Sequence, residues 1–169
     1  MNSAHDKAVV APTVMAHYFV FEAGGRALAL PLSCVERVVR AVEVTPLPQR
    51  NGRVRGVIHV HGALVPVLDL RVPEDGADME LWPVRLSDHL VLAQAANGLL
   101  AFLVEAVRDV VEISLEDSTT TRGVLRVRDE TVMIFEESNW LSSVEKAYLA
   151  RVVPEWSASQ GIISNGSLL

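Results

Sequence analysis

The sequence predicts a mainly β protein made of two similar small modules that share one core. Residues 17–40, HYFVFEAGGRALALPLSCVERVVR, recur in outline at 89–112, HLVLAQAANGLLAFLVEAVRDVVE. A second block, RGVIHVH at 55–61, recurs as RGVLRVR at 122–128. Each half of a 169-residue chain is too short to bury a sufficient core alone, so we expect the halves to share one.

The repeat has two units, at about 17–71 and 89–136, which is fewer than a stacked repeat array needs. We therefore interpret it as a pseudo-symmetric pair within one domain over 16–153. Chance similarity between apolar segments is the alternative. Matching hydrophobic positions favour the pair: Phe19 with Val91, Leu28 with Leu100, Val35 with Val107, Val38 with Val110 and Val39 with Val111. Flexible segments are expected at 1–15 and 154–169.

The first half begins with a predicted β-hairpin. Tyr18 to Phe21 is rich in aromatic and β-branched residues, Gly24-Gly25 supplies the turn, and Ala27 to Leu30 is the partner strand. Ser33 then stands where it would cap one or two helical turns. Valines follow it at three- and four-residue spacing: Val35, Val38, Val39 and Val42. Because valine-rich runs suit strands equally well, the sequence leaves helix and strand open here.

Two further strands complete the first half. Two prolines and an Asn-Gly pair predict a loop over 45–52. Strands are then predicted at Val54 to Val60 and Leu64 to Leu70, joined at His61-Gly62. Pro66 has no backbone donor, so it indicates an edge position or a bulge in the second of these strands.

The acidic, proline-containing segment 72–88 is the expected bridge to the second half, with Trp82 as its anchor. Strands are predicted at His89 to Gln94, Leu99 to Val104, Val124 to Val127 and Thr131 to Phe135. Asn97-Gly98 is a hairpin turn and 118–121 a polar loop. A C-terminal helix of about three turns, capped by Ser142 or Ser143, follows from the spacing of apolar residues. These are Leu141, Val144, Ala147, Tyr148 and Val152.

Composition and charge narrow the class of protein. Half of the residues are hydrophobic and a fifth are charged, which is the balance of a globular chain. The net charge of -6 offers no electrostatic footprint for a phosphate backbone, so nucleic acid is not an expected partner. Cys34 is the only cysteine, which excludes an intramolecular disulfide and a four-cysteine zinc site. We expect it to be a small buried hydrophobe.

The sequence gives no sign of export or of membrane insertion. Residues 1–15 lack the basic start and continuous apolar core of a secretory signal. The longest apolar stretch, Leu90 to Val107, is interrupted by Gln94, Asn97-Gly98 and Glu105. The expected location is therefore cytoplasmic.

Six motifs in order resemble the CheW-like domain of bacterial chemotaxis and related chemosensory systems. They are YFVFEAGG, ALALPLSCVERVV, TPLP, VRGVIHVHGALVPVLDLR, FLVEAVRDVVEI and RGVLRVRDETVMIF, and together they cover about residues 17–150. The most specific piece is 54–71. It is similar to the family's Gly-Val-x-x-x-Arg-Gly segment, which is followed by an apolar Pro-Val-x-Asp-Leu strand.

The resemblance implies a fold of two interlocked SH3-like five-stranded β-barrels around a shared core, ending in a helix. It also implies a non-catalytic coupler that holds chemoreceptor signalling tips and the regulatory domain of a CheA-type histidine kinase in one array. Other CheW-like proteins are further expected partners. Location at receptor arrays follows from the same resemblance.

Two positions depart from the family's pattern in the segments used for coupling. Arg37 stands where the family usually has glutamate, and His61 stands where it usually has arginine. Arginine is always charged and offers a planar fork of donors, whereas neutral histidine has one donor and one acceptor. Any contact that depends on that fork is therefore changed. The chain is interpreted as an auxiliary coupler, a scaffold for a divergent receptor and kinase set, or a competitor of a standard coupler.

The resemblance selects a set of residues for partner contact: Val35, Glu36, Arg37, Val38, Arg55, His61 and Gly62. Each has a plainer interpretation. Val35 and Val38 have the spacing of ordinary core residues. Gly62 suits a turn that requires positive φ, whatever the partner. Glu36 and Arg37 fit a solvated face equally well.

No enzyme motif is present in the sequence. A nucleophile elbow, a phosphate-binding glycine loop, a metalloprotease helix and a kinase signature are all missing, so we expect no enzymatic activity and no cofactor. His59 and His61, two apart on a predicted strand, point the same way, and His89 or Asp69 would complete a metal site. No second ligand pair has zinc spacing, so a metal site is not expected. Asp69 is interpreted as structural.

Two alternatives to coupling remain open from the sequence. One is a regulatory module that binds a small molecule between the barrels, where pockets commonly form. The other is an interaction protein unrelated to kinase signalling, which binds through exposed strand edges.

Overall fold

The computed structural model describes residues 11–74, 80–116, 120–121 and 123–156. Eleven strands and one α-helix lie within these ranges: β1 Met15–Ala23, β2 Arg26–Pro31, β3 Val35–Arg40, β4 Val54–Val60, β5 Ala63–Asp69, β6 His89–Ala95, β7 Gly98–Val104, β8 Ala106–Ser114, β9 Thr120–Thr121, β10 Val124–Val127, β11 Glu130–Ile134 and α1 Ser143–Val152. Short 3-10 helices span Leu32–Cys34 and Glu137–Asn139. Most of the expected flexible ends, 1–10 and 157–169, lies outside the described residues.

The strands form two sheets that exchange hairpins between the halves of the chain. The first barrel has the order β8-β1-β2-β11-β10-β9, and the second barrel has the order β3-β6-β7-β5-β4. The first barrel therefore takes the hairpin β1-β2 from the first half and its other strands from the second half. The second barrel does the reverse with β6-β7. The predicted fold of two interlocked barrels with a C-terminal helix is confirmed.

The two barrels repeat one set of strand pairings. β3 pairs antiparallel with β6 as β8 does with β1, and β5 pairs parallel with β7 as β11 does with β2. The registers also match at the spacing of the sequence repeat: Val38–Val91 corresponds to Val110–Phe19, Val67–Ala101 to Ile134–Ala29, and Val57–Pro66 to Val124–Met133. Repeated sequence therefore marks strands in equivalent places.

Alternate residues of the exchanged hairpins serve different cores. In β1, Phe19 and Phe21 pack in the core shared by the barrels, whereas Val20 packs inside the first barrel. In β7, Phe102 belongs to the shared core and Leu103 to the interior of the second barrel. Both faces of β1 are buried over residues 19–21 and both faces of β7 over residues 100–104, so these stretches are continuously apolar and lack the alternation of a half-exposed strand.

The segment that the sequence left open is mostly extended. A 3-10 helix over Leu32–Cys34 precedes β3, so the valine run is a strand. Cys34 is half-buried, a milder burial than expected, and its Sγ donates to Pro31 O at 2.9 Å. Burial raises the pKa of the Cys34 thiol to about 11, with Glu137 adding to the effect and a backbone hydrogen bond opposing it.

The expectation for Pro66 is wrong. Pro66 lies in β5, which is interior in its sheet between β4 and β7, and the register shift falls in β4 between Val54 and Gly56. The backbone N–H and C=O of Val57, the residue opposite Pro66, both bond to Thr45 at 2.9 Å. Val57 therefore needs no hydrogen bond from the backbone of Pro66, so the missing N–H of the proline leaves no acceptor of Val57 unpaired. The pairing of β5 with β7 begins one residue later.

Two further segments differ from the prediction. The sequence predicts no strand over 106–114, whereas the structure forms β8 there, with three consecutive exposed residues, Arg108 to Val110, in place of a regular alternation. In the predicted polar loop over 118–121, Thr120–Thr121 pairs with β10, while 118–119 lies outside the described residues.

The C-terminal helix begins where the sequence places it. Ser142 accepts from Glu145 N at 3.1 Å, and Glu145 Oε2 accepts from Ser142 N at 2.8 Å, which completes a capping box. Beyond the helix, Trp156 is buried and its Nε1 donates to Leu99 O at 3.0 Å. The packed part of the chain therefore extends past 154, the expected start of the flexible tail.

Candidate partner-binding surface

The residues selected for partner contact lie on the second barrel, mainly on β3 and the tip of the β4-β5 hairpin. Val35 and Val38 of β3 are half-buried and pack against the shared core. Glu36 and Arg37 are exposed, at a register shift between Val35 and Arg37. β3 is an edge strand, so one side of its backbone is not paired within its sheet.

His61 and Gly62 form the exposed tip of the β4-β5 hairpin. Both have positive φ, at 49° and 83°. The corresponding residues of the β10-β11 hairpin, Arg128 and Asp129, also have positive φ, at 46° and 67°. Positive φ at both central residues is the geometry of a type I′ turn, which matches the twist of two-residue hairpins. An arginine therefore already occupies, in the first barrel, the conformation that His61 adopts in the second.

In the first barrel, the counterparts of β3 and of the β4-β5 hairpin tip line one groove. The groove, of about 510 Å³, is lined by β8 residues including Asp109 and Val110 and by Arg128 at the hairpin tip. Asp109, Val110 and Arg128 are the repeat counterparts of Arg37, Val38 and His61. Arg108, the counterpart of Glu36, forms an ion pair with Glu130, which also lines this groove, and another with Glu22 of β1. In the second barrel Arg37 forms no ion pair within the described residues.

Arg55 has a different environment from the other selected residues. Its Nη1 donates to Asp69 Oδ2 at 3.0 Å and to Trp82 O at 2.7 Å. Its side chain is largely buried, at 14% exposure. The structure thus places Arg55 in an intramolecular network, apart from the β3 edge and the hairpin tip.

That network is centred on the carboxylate of Asp69, which is fully buried. The sequence indicates only a structural role for this residue. Asp69 accepts from Arg71 Nε at 2.9 Å and from Arg71 Nη2 at 2.8 Å, and Arg71 Nη1 reaches Asp88 Oδ2 at 2.9 Å. Burial lowers the pKa of Arg71, but its hydrogen bonds and charge interactions with Asp69 and Asp88 outweigh burial and raise it. Arg71 and Asp88 were missed; charged residues at the end of an apolar strand, LDLR, were the available signal.

The same network attaches the segment 80–88 to the second barrel. Trp82 O accepts from Arg55 and from Arg71, and Pro83 O accepts from Arg71 Nη1 at 3.0 Å. Trp82 does anchor this segment, although through its carbonyl. Trp82 itself is 43% exposed.

A second buried ion pair attaches α1 to Arg53, the residue directly before β4. Arg53 Nη2 and Nε donate to the two carboxylate oxygens of Glu145 at 2.9 and 3.1 Å. Burial raises the pKa of Glu145, but the hydrogen bonds from Arg53 and Ser142 outweigh it and hold the pKa below its ordinary value. Both residues were missed, because their partnership joins positions far apart in sequence.

The premise for a metal site is wrong. His61 lies in the turn beyond β4, so it does not share a strand face with His59. Asp69 is engaged by Arg55 and Arg71. Across the described ranges, no three His, Cys, Asp or Glu side chains are placed to hold a metal ion. Within the same ranges no helix is both long and apolar enough to cross a membrane.

The fold is thus a pair of barrels around one core, and the second barrel presents an exposed strand edge, β3, and an exposed hairpin tip at His61-Gly62. The family model described as CheW-like domain matches residues 17–121, more than half of the chain. The chain belongs to this family, as the sequence motifs indicated. Its members are non-catalytic chemotaxis adaptors and scaffolds, so the prediction that it is not an enzyme is confirmed.

Individual relatives agree with the family match. The chain is 24% identical over 140 residues to a chemotaxis protein CheW of Rhizobium meliloti, covering 75% of this chain and 87% of that protein. It is 28% identical over 98 residues to a chemotaxis protein CheW of Thermotoga maritima, covering 56% and 60%. The crystal structure of the scaffolding protein TtCheW from Thermoanaerobacter tengcongensis has the same fold, with a TM-score of 0.61 at 19% identity over 73% of this chain and 90% of that one.

Proposed function

We propose that the chain couples chemoreceptor signalling tips to the regulatory domain of a CheA-type histidine kinase at receptor arrays. The observation that carries the proposal is the exposed edge of β3, where Arg37 stands beside valines that pack on the shared core. An edge strand offers backbone groups for pairing, and half-buried apolar residues beside it offer area that a partner covers.

The shared core suits this role mechanically. Val35 and Val38 contact the core that joins the barrels, so a partner on β3 rests on residues that both barrels support. Close-packed protein interiors have low compressibility, so they transmit a displacement from one side to the other. Two partners bound to such a body keep a fixed relative geometry, which is what a coupler between receptor and kinase requires.

The charge of the surface defines the partner it would accept. Arg37 is exposed and has no carboxylate partner among the described residues, and its planar guanidinium binds a carboxylate best in a two-point geometry. His61 at the nearby hairpin tip adds a donor and an acceptor. The partner is therefore expected to present an acid opposite Arg37, the reverse of the arrangement implied by a glutamate at this position.

The test is calorimetric binding of the full chain to two purified fragments from the same organism, the kinase regulatory domain and a receptor signalling hairpin. Arg37→Glu is expected to weaken binding to at least one of them by about tenfold or more, as for truncated interfacial charges. Arg26→Glu is the matched control, because Arg26 is exposed on the β1-β2 hairpin of the other barrel. Failure of the unaltered chain to bind either fragment contradicts the proposal.

A further inference from the structure

The edge strands of the two barrels carry the same valines and opposite charges. β3 contains VERVVR over 35–40, and β8 contains VRDVVE over 107–112, 72 positions later. All three valines of this segment are matched, whereas every charged position is inverted: Glu36 against Arg108, Arg37 against Asp109 and Arg40 against Glu112. All six charged residues are exposed. The two edges are therefore complementary in charge, position by position.

Both strands leave one side of their backbone open. Among the described strands, β3 pairs with β6 and β8 pairs with β1, and each stands at the end of its sheet. The N–H and C=O groups along that outer side are available to another strand. Val110 of β8 is 48% exposed and Val38 of β3 is half-buried, so apolar area lies between the charges on both edges.

The charges available on β3 are mainly basic. Arg37, Arg40 and Glu36 form no ion pair within the described residues. Glu43 is an exposed acid beyond the end of the strand, and His61 lies at the β4-β5 hairpin tip. On the strand itself, two arginines therefore stand against one glutamate.

The charges available on β8 are mainly acidic. Arg108 is engaged by Glu22 and Glu130, so its charge is already balanced within the chain. Asp109 forms no ion pair in the part of the chain that the structure describes. Glu112 makes only an exposed contact, 3.5 Å from its Oε1 to Nε2 of His17. The base that lines the groove beside Asp109, apart from Arg108, is Arg128 at the hairpin tip.

These charges disfavour contact between two like edges. Two β8 edges would bring acids together while Arg108, the base of that strand segment, is already engaged. Two β3 edges placed antiparallel could pair Glu36 with Arg40, but the Arg37 of each copy would then face no acid. Charged residues on an edge strand commonly prevent such pairing between identical edges.

We infer that β3 of one copy of this chain lies along β8 of a second copy, so that the protein self-associates head to tail. In the parallel register that sets repeat-equivalent residues opposite each other, Arg37 meets Asp109 and Arg40 meets Glu112. Opposite charges directly across neighbouring strands stabilise their pairing. The contact joins two different surfaces, so each pair of copies keeps one free β3 and one free β8. Because the ion pairs are exposed, the association is weak and depends on salt.

Self-association has a consequence for partner binding. β3 is also the edge proposed for the receptor or the kinase, so a second copy seated there excludes that partner. The self-association itself needs only the two edges of this chain. It can therefore be tested with the purified chain alone, and its failure would leave the proposed function standing.

Sedimentation equilibrium of the full chain over a range of concentrations measures the association. The unaltered chain is expected to associate at low ionic strength and to dissociate at about 1 M salt, where the screening length is about 3 Å. Two double variants, Arg37→Glu with Arg40→Glu and Asp109→Arg with Glu112→Arg, should each raise the dissociation constant by about tenfold or more. Mixing the two variants makes every β3-β8 contact between them complementary again, so the mixture should recover the association.

The matched control is Arg26→Glu with Arg126→Glu, which changes the net charge as much as the β3 variant does. Both arginines are exposed, and neither lies on β3 or β8. Circular dichroism checks that each variant is folded. An unaltered chain that stays monomeric at every concentration overturns the inference, and so does an equal loss in the control. Loss in the β3 variant alone would mean contact between two β3 edges, and this result or a mixture that stays dissociated also overturns it.

Discussion

Arg53 and Glu145, 92 positions apart in sequence, form a buried two-point ion pair between the residue that precedes β4 and the first turn of α1. Glu145 also completes the capping box of the helix with Ser142. One carboxylate therefore fixes where the helix begins and where it rests on the second barrel. Removing either member leaves the other charge buried without its partner, which is the costly way to break such a pair.

We expect Arg53→Met to lower the free energy of unfolding by about 3–5 kcal/mol, the range for a broken buried pair. Glu145→Gln should cost a similar amount, because it weakens the cap as well. Urea unfolding followed by tryptophan fluorescence measures both. Glu155→Gln is the matched control, since Glu155 is exposed near the same end of the chain, and a loss there equal to that of Glu145→Gln would contradict the assignment.

The same pair makes stability depend on pH. Because the folded pKa of Glu145 lies below its ordinary value of 4.5, the carboxylate contributes stability above that value and loses the contribution as pH falls through the folded pKa. Thermal unfolding between pH 7 and pH 3 should show a declining midpoint at the acidic end. Glu145→Gln should flatten that decline, and an unchanged slope would show that other groups dominate.

Gly56 is required by a close backbone approach. A Cβ at this position would lie 2.1 Å from Thr45 O, the atom that accepts from Val57 N. Gly56→Ala is expected to cost about 3 kcal/mol or more, because the neighbour is backbone and must shift. Gly62→Ala is the comparison: its Cβ meets nothing within 4 Å, so only the strain of its positive φ remains, about 1 kcal/mol. Equal losses in chemical denaturation would refute the distinction.

Arg71 should control the order of the segment 80–88. Arg71→Leu removes the cation between Asp69 and Asp88 and the donor to Pro83 O, so we expect a loss of about 3–5 kcal/mol. Hydrogen exchange should then accelerate in 80–88 before it does in β6 and β7. Arg126→Leu serves as the control, since Arg126 is exposed on β10. Uniform acceleration throughout the chain would argue against a local role.

The double variant Arg37→Glu with His61→Arg restores the family's usual charges at both positions. We expect it to increase kinase activation by a standard receptor in a reconstituted array, measured as the phosphorylation rate. The turn should accept the arginine without loss of stability, because Arg128 occupies the same conformation in the first barrel. An unchanged rate would show that these two positions do not set activation.

Much of the fold could be predicted from the sequence repeat, because residues at equivalent positions of the repeat lie in equivalent registers of the two sheets. Val38 and Val110 could be matched before either strand was located. The choice between helix and strand at Val35 to Val42 could not be made, since it depends on pairing with β6, whose residues lie 49 to 58 positions away. The prediction of an edge or a bulge at Pro66 was wrong for a related reason. An interior strand can hold this proline because Val57, the residue opposite it, bonds to Thr45 of a distant loop.

The candidate surface was predictable only in part. His61 and Gly62 could be assigned to a hairpin tip because the flanking strands and the glycine are local signals. The LDLR sequence at the end of an apolar strand could have drawn attention to Arg71, but nothing local identifies Asp88, 17 positions away, as its partner.

The exchange of hairpins between the halves has a consequence for how the chain folds. The first barrel cannot close until residues near 110 and 130 have reached β1 and β2, so the pairings that complete it join residues as far as 105 positions apart, such as Leu28 and Met133. Such long-range closure predicts slow folding for a chain of this size. Neither half can form its native core without strands from the other half. The chain is therefore expected to fold and to unfold as one cooperative unit.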